Sequence, residues 1–206
     1  MSPDKETDLG AIRELYESSL ARHGTSPPGV GWRDPASHTL RFSKLAAVIV
    51  PHDEPLTVND LGCGYGAYYE WLVKNGYRVE RFRGHDISDR MLAEARARFP
   101  AVEFVRGERL DTTADYSFAC GIFNVRLEAR EDDWRAHIEA TLENLNAYSV
   151  RGFAFNLLTT YVDYRESHLY YGDPSYFFDF CKRRFSKKAS LLHDYPLFEW
   201  TIHVVK

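Results

Sequence analysis

The chain has 206 residues, of which 44% are hydrophobic and 27% charged, enough for one large domain with its own core. Its net charge of −4 gives no general attraction to nucleic acid or anionic lipid, and no apolar run approaches the roughly 20 residues of a membrane span. Three cysteines without CxxC spacing form neither a disulfide framework nor a zinc site, and with a polar, acidic N-terminus they suit a cytoplasmic protein.

Leu9, Ile12, Leu15, Tyr16 and Leu20 recur at helical spacing. Residues 24–31, rich in glycine and proline, break that pattern. Asp34-Pro35 then opens a second helix, with Asp as the cap and Pro in the first turn. Its apolar positions, Leu40, Leu45, Val48 and Ile49, run to Pro51. Residues 1–50 thus read as a helical arm or lid ahead of a main domain at 51–206.

From Leu56 the pattern changes. Apolar strands at 56–61, 77–87, 102–105, 116–123 and 152–158 alternate with helical stretches. The helices cover 68–74, the segment capped by Ser88 that carries Met91, Leu92 and Ala95, and the stripe of Trp134, Ile138, Leu142 and Leu145. Such alternation predicts a doubly wound α/β fold, a parallel sheet with helices on both faces. Asp173-Pro174 opens a last helix through Phe177 and Cys181. Two strand-like runs follow, 190–193 and 198–205. In the second, Phe198, Trp200, Ile202 and Val204 alternate with Glu199, Thr201 and His203. The gap between them is too short for a parallel crossover, so a mostly parallel seven-stranded sheet should finish in an antiparallel hairpin.

The sharpest motif is Asp60-Leu-Gly62-Cys63-Gly64-Tyr-Gly66-Ala67, where a strand passes into a helix. Glycines there let a ligand approach the backbone, and the helix start offers free N–H groups. The string also fits the GxGxxA dinucleotide fingerprint, which keeps an NAD(P)-dependent oxidoreductase as an alternative. Asp60 argues against it, because a carboxylate repels a pyrophosphate and suits a ligand carrying positive charge. Asp86, at the end of the second strand, lies where a carboxylate can accept both hydroxyls of a ribose. Ile87 beside it can cover an adenine face, and Glu108, after the third strand, can meet an exocyclic amine.

Asp60-Leu-Gly-Cys-Gly-Tyr-Gly66, followed by Gly84-His-Asp86-Ile-Ser88 and Met91-Leu92, resembles the first two motifs of the class I S-adenosylmethionine (SAM)-dependent methyltransferases. The resemblance extends over residues 56–206 in element order, and the whole chain looks like a small bacterial group of that superfamily. It implies SAM as cofactor. Asp60, Gly62, Cys63 and Gly64 would hold its methionine end, Asp86 the ribose, and Ile87 and Glu108 the adenine. Glu108 stands where Asp is more usual. Members that modify adenine or glutamine carry Asn-Pro-Pro-Tyr-like strings after the fourth strand, whereas this chain has Asn124-Val-Arg126.

Methyl transfer from a sulfonium depends mainly on positioning and exclusion of water. Asn124, at the end of the fourth strand, is placed to orient the reacting groups. His38, His168 and His193 are the candidate bases. In the arm, Trp32 can close the pocket and Arg41 can pair with the SAM carboxylate. An aromatic insert at 159–176 offers Tyr161, Tyr170 and Tyr171 to a small organic substrate, with Tyr164 and Tyr176 nearby. The basic run at 182–188 reads as a solvated face. The eight histidines show no metal-ligand spacing. The expectation is methyl transfer from SAM to an oxygen, nitrogen or carbon of a small molecule, without nucleic-acid or membrane partners and with no signal for the oligomeric state. A non-catalytic SAM-binding module is the other alternative.

Overall fold

A computed structural model describes residues 8–50 and 54–206. Pro51, the expected end of the second helix, lies outside the described residues. The strands are β1 (Leu56–Leu61), β2 (Val79–Asp86), β3 (Glu103–Arg106), β4 (Ala114–Ala119), β5 (Ser149–Leu158), β6 (Lys188–Leu192) and β7 (Glu199–Val205). They form one seven-stranded sheet in the order β3-β2-β1-β4-β5-β7-β6. β7 runs antiparallel between β5 and β6, and the other neighbouring pairs are parallel. The helices are α1 (Gly10–His23), α2 (Pro35–Ala46), α3 (Ala67–Lys74), α4 (Asp89–Arg98), α5 (Glu131–Ala147) and α6 (Pro174–Arg184).

Local chemistry accounts for the helix starts. The side chains of Asp34, Ser88 and Asp173 each accept a backbone N–H from the first turn of α2, α4 and α6. Apolar faces then set the layers. Leu45, Tyr68, Leu72 and Leu92 bring α2, α3 and α4 onto one face of the sheet. Trp134, Ile138, Leu142 and Phe177 bring α5 and α6 onto the other, where Ile12 of α1 joins them. No helix among the described residues is long and apolar enough to cross a membrane.

Two segments differ from the sequence reading. The fourth strand stops at Ala119, because Gly121, at φ 71°, turns the chain out of the sheet before Phe123. In β7 the alternation does not separate a wet face from a dry one: Glu199, Thr201 and His203 are buried. The arm covers that face and supplies partners, Arg41 for Glu199 and the Lys44 carbonyl for the His203 ring. Tyr195 and Thr201 share a hydroxyl hydrogen bond. Phe198 falls outside the strand and is exposed.

Candidate functional site

β1 delivers Asp60 to the carboxyl end of the sheet, where the chain leaves through Gly62 and Gly64, both at positive φ. At Gly62 no side chain fits, since a Cβ there would lie 2.1 Å from Cγ2 of Ile122. The Gly62 and Cys63 amides donate to the His85 carbonyl at 2.7 and 3.0 Å, which ties the loop to β2. β2 ends on Asp86. One of its carboxylate oxygens accepts from the Gly64 amide at 2.8 Å and the other from the Ser88 amide at 2.8 Å.

These segments open into a cavity at the carboxyl ends of β1, β2 and β4, with about 1070 Å³ between its walls when the open mouth is included. Asp60, Gly62, Cys63, Gly64, Asp86, Ile87 and Glu108 all line it. The arm closes it with Ile12, Arg13 and Tyr16 of α1, with Trp32, and with His38 of α2.

Electrostatics inside it are set by burial. Burial, and then the neighbouring Asp86, push Asp60 up to about 8, and no hydrogen bond from the described residues offsets them. Burial also lifts Asp86, but its backbone N–H partners hold it at about 6. Tyr16 is raised to about 12 by burial and by Asp86. His38 is lowered to about 4 by burial and by Arg41, so its ring is neutral near pH 7. The cavity thus holds two acids whose ionisation burial disfavours, with Arg13 of α1 also in its lining. The Tyr68 hydroxyl, which shares the cavity, is buried without a partner among the described residues.

Seven expected site residues, the exposed His193 among them, lie elsewhere. Arg41 does not reach the cavity: its Nε donates to Glu199 at 2.7 Å and its guanidinium stacks 3.9 Å from the Trp32 ring centre. Asn124 is buried as a splint, its Oδ1 accepting from the Leu158 amide at 3.2 Å and its carbonyl from the Tyr170 amide. His168 is exposed, and its carbonyl closes the turn to Arg126 and Leu127. Tyr161 is 69% exposed beside His193, Tyr170 is packed in the core against Phe177, and the Tyr171 hydroxyl caps the Glu166 amide. The insert packs at the end of β5, where the Gly172 amide donates to the Leu158 carbonyl, and none of these tyrosines lines the cavity.

Conversely, Tyr16, Tyr68, Cys120, Gly121, His137 and Thr141 line the cavity and carry no motif signal. Tyr16 and Tyr68 sit on amphipathic stripes that read simply as core. His137 and Thr141 fall one turn apart on α5, a spacing that marked them only as helix.

Comparison with known proteins agrees with this architecture. The family described as "Methyltransferase domain" matches residues 58–147. A protein of Mycobacterium tuberculosis (strain ATCC 25618 / H37Rv), provisionally named methyltransferase Rv1506c, is 50% identical over 163 residues, 77% of this chain and 98% of that one. Trans-aconitate 2-methyltransferase of Acidovorax sp. (strain JS42) is 36% identical over 84 residues, which cover 41% of this chain and 32% of that one. Among solved structures, magnesium protoporphyrin IX methyltransferase from Synechocystis PCC 6803 with bound SAM superposes with a TM-score of 0.69 at 15% identity, covering 99% of this chain and 100% of that one. None of these likenesses supports the NAD(P) oxidoreductase or the non-catalytic alternative.

Proposed function

The chain belongs to the class I SAM-dependent methyltransferases, and from that premise we propose that the cavity under the arm seats SAM and that the methyl acceptor is a small molecule. The observation that carries this reading is that Asp60 and Asp86 open into one cavity on either side of the glycine loop.

The residues present suit SAM part by part. Asp60 supplies a buried acceptor for its ammonium, and the unpartnered Tyr68 hydroxyl a donor for its carboxylate. Asp86, already oriented by two backbone amides, takes the ribose hydroxyls. Ile87 and Ile122 offer apolar surface to the adenine, with Glu108 beside them. When bound, the cofactor supplies an electrophilic methyl group on a sulfonium. The chain's own part is to align that methyl with an acceptor and keep water out. Trp32 and the α1 residues exclude solvent. His38, held neutral, is the one expected base that lines the cavity, able to accept a proton but weakly basic.

A small acceptor agrees with the net charge of −4, which offers no general hold on nucleic acid. It also agrees with the relatives, whose names specify trans-aconitate and magnesium protoporphyrin IX. The test is release of S-adenosylhomocysteine when purified protein and SAM are mixed with cell extract divided by ultrafiltration. Activity in the low-mass filtrate is expected. Activity confined to the macromolecular fraction would overturn the small-molecule reading.

A further inference from the structure

Behind the cavity wall lies a closed ring of five residues drawn from distant parts of the chain. The Arg41 guanidinium stacks on Trp32, 3.9 Å from the ring centre. Its Nε donates to one oxygen of Glu199 at 2.7 Å. The other oxygen of Glu199 accepts from Nδ2 of Asn156 at 3.1 Å. Oδ1 of Asn156 accepts in turn from the Gly121 amide at 2.7 Å. Gly121 meets Trp32 again, so closely that a Cβ on it would stand 2.3 Å from the indole.

Glu199 and Asn156 are completely buried and Arg41 nearly so. None of the three lines the cavity, whereas Trp32 and Gly121 both do. A buried ion pair is poor evidence for stability, because desolvation offsets the attraction, and apolar residues of similar volume often serve as well. Its worth here lies in direction. We propose that Glu199 is a positioning residue for methyl transfer: through Arg41 it seats the Trp32 indole, and through Asn156 it fixes the Gly121 amide. One carboxylate on β7 thereby sets both halves of the wall where β4 ends. The inference rests on the cavity being the SAM site.

The test uses the full chain, SAM binding by calorimetry, and quenching of tryptophan fluorescence. Trp32 is the one of four tryptophans that lines the cavity, so it reports the wall directly. The double variant Arg41→Met/Glu199→Leu removes the charges together and leaves only the Asn156 Nδ2 donor without its acceptor, so it is expected to fold with a modestly lowered melting temperature. It should nevertheless bind SAM about tenfold more weakly, since the wall is no longer held before binding. SAM-dependent quenching should shrink. Trp32→Ala should cause a similar loss, and adding it to the double variant should cause little more, because both act on one element. Should the double variant fail to fold, Glu199→Gln carries the same measurement.

Wild-type affinity and quenching in the double variant, or losses that simply add to that of Trp32→Ala, would overturn the inference. Asp86→Ala is the control. If it loses SAM while the ring variants keep it, only the positioning role fails. If it too keeps SAM, the cavity assignment fails and the inference with it.

Discussion

The Asp86 carboxylate accepts the Gly64 amide at 2.8 Å, so the acid that ends β2 holds the loop that ends β1. The two motifs are therefore one mechanical unit, and ribose recognition and loop shape depend on the same side chain. Asp86→Ala should weaken SAM binding by about a hundredfold or more, since hydrogen bonds to a charged group are worth roughly 1.5–3 kcal/mol each. Far-UV dichroism should show the fold retained. Wild-type affinity in a calorimetric titration would remove Asp86 from the cofactor site.

Asp60 gives a pH signature. Its folded value of about 8 stands far above the ordinary 3.8, so the folded chain keeps a proton that the unfolded chain releases between those limits. Stability of the ligand-free protein should therefore fall as pH rises from about 4 to about 8. An ammonium beside Asp60 favours the carboxylate instead, so SAM binding should release a proton and tighten as pH rises towards 8. Asp60→Asn removes the titration. The variant should melt at or above wild type at about pH 8 without ligand and bind SAM at least about tenfold more weakly. Melting curves with and without SAM across that range decide it, and a variant that melts lower without ligand contradicts the assignment.

Tyr68→Phe separates ligand binding from stability in a similar way. It deletes a buried hydroxyl that has no partner among the described residues. The ligand-free protein should gain on the order of 1 kcal/mol, and SAM affinity should fall about tenfold. Equal affinity would mean that the hydroxyl meets no part of the cofactor.

Asn124→Ala should behave in the opposite manner. The Leu158 amide loses its acceptor, at a cost of about 1–3 kcal/mol in denaturant unfolding. SAM affinity should stay within about twofold, because Asn124 lies outside the cavity lining. A large loss of affinity at unchanged stability would return Asn124 to the reaction centre.

What could be read from the sequence follows from the range of each signal. Caps at Asp34, Ser88 and Asp173 act across two or three residues, and the glycine loop lies between a strand and a helix that announce themselves. Those features, and the nine expected residues that meet in the cavity, needed only local chemistry and element order. The partners of Arg41 and Asn124 are not legible in the same way, because they lie 158 and 34 residues away in the chain. The tyrosines of the insert offered chemistry without an address. Tyr170 turns into the core and Tyr161 outward, and nothing in their spacing separates those outcomes. His203 and Glu199 hid for a related reason: a polar residue on a strand reads as wet until the helix that covers it is placed.

The insertion of β7 between β5 and β6 also imposes an order on synthesis. Arg41 must wait for Glu199, made 158 residues later, an interval of roughly 8–30 s at translation rates of about 5–20 residues per second. Through that interval α2 has no buried carboxylate to receive its guanidinium, and from the completion of β5 at Leu158 until β7 follows, the gap beside β5 is a bare strand edge open to wrong pairing. The nascent chain can shape its glycine loop long before it can hold Trp32 in place, so a truncated product would carry the motifs of a cofactor site without its finished wall.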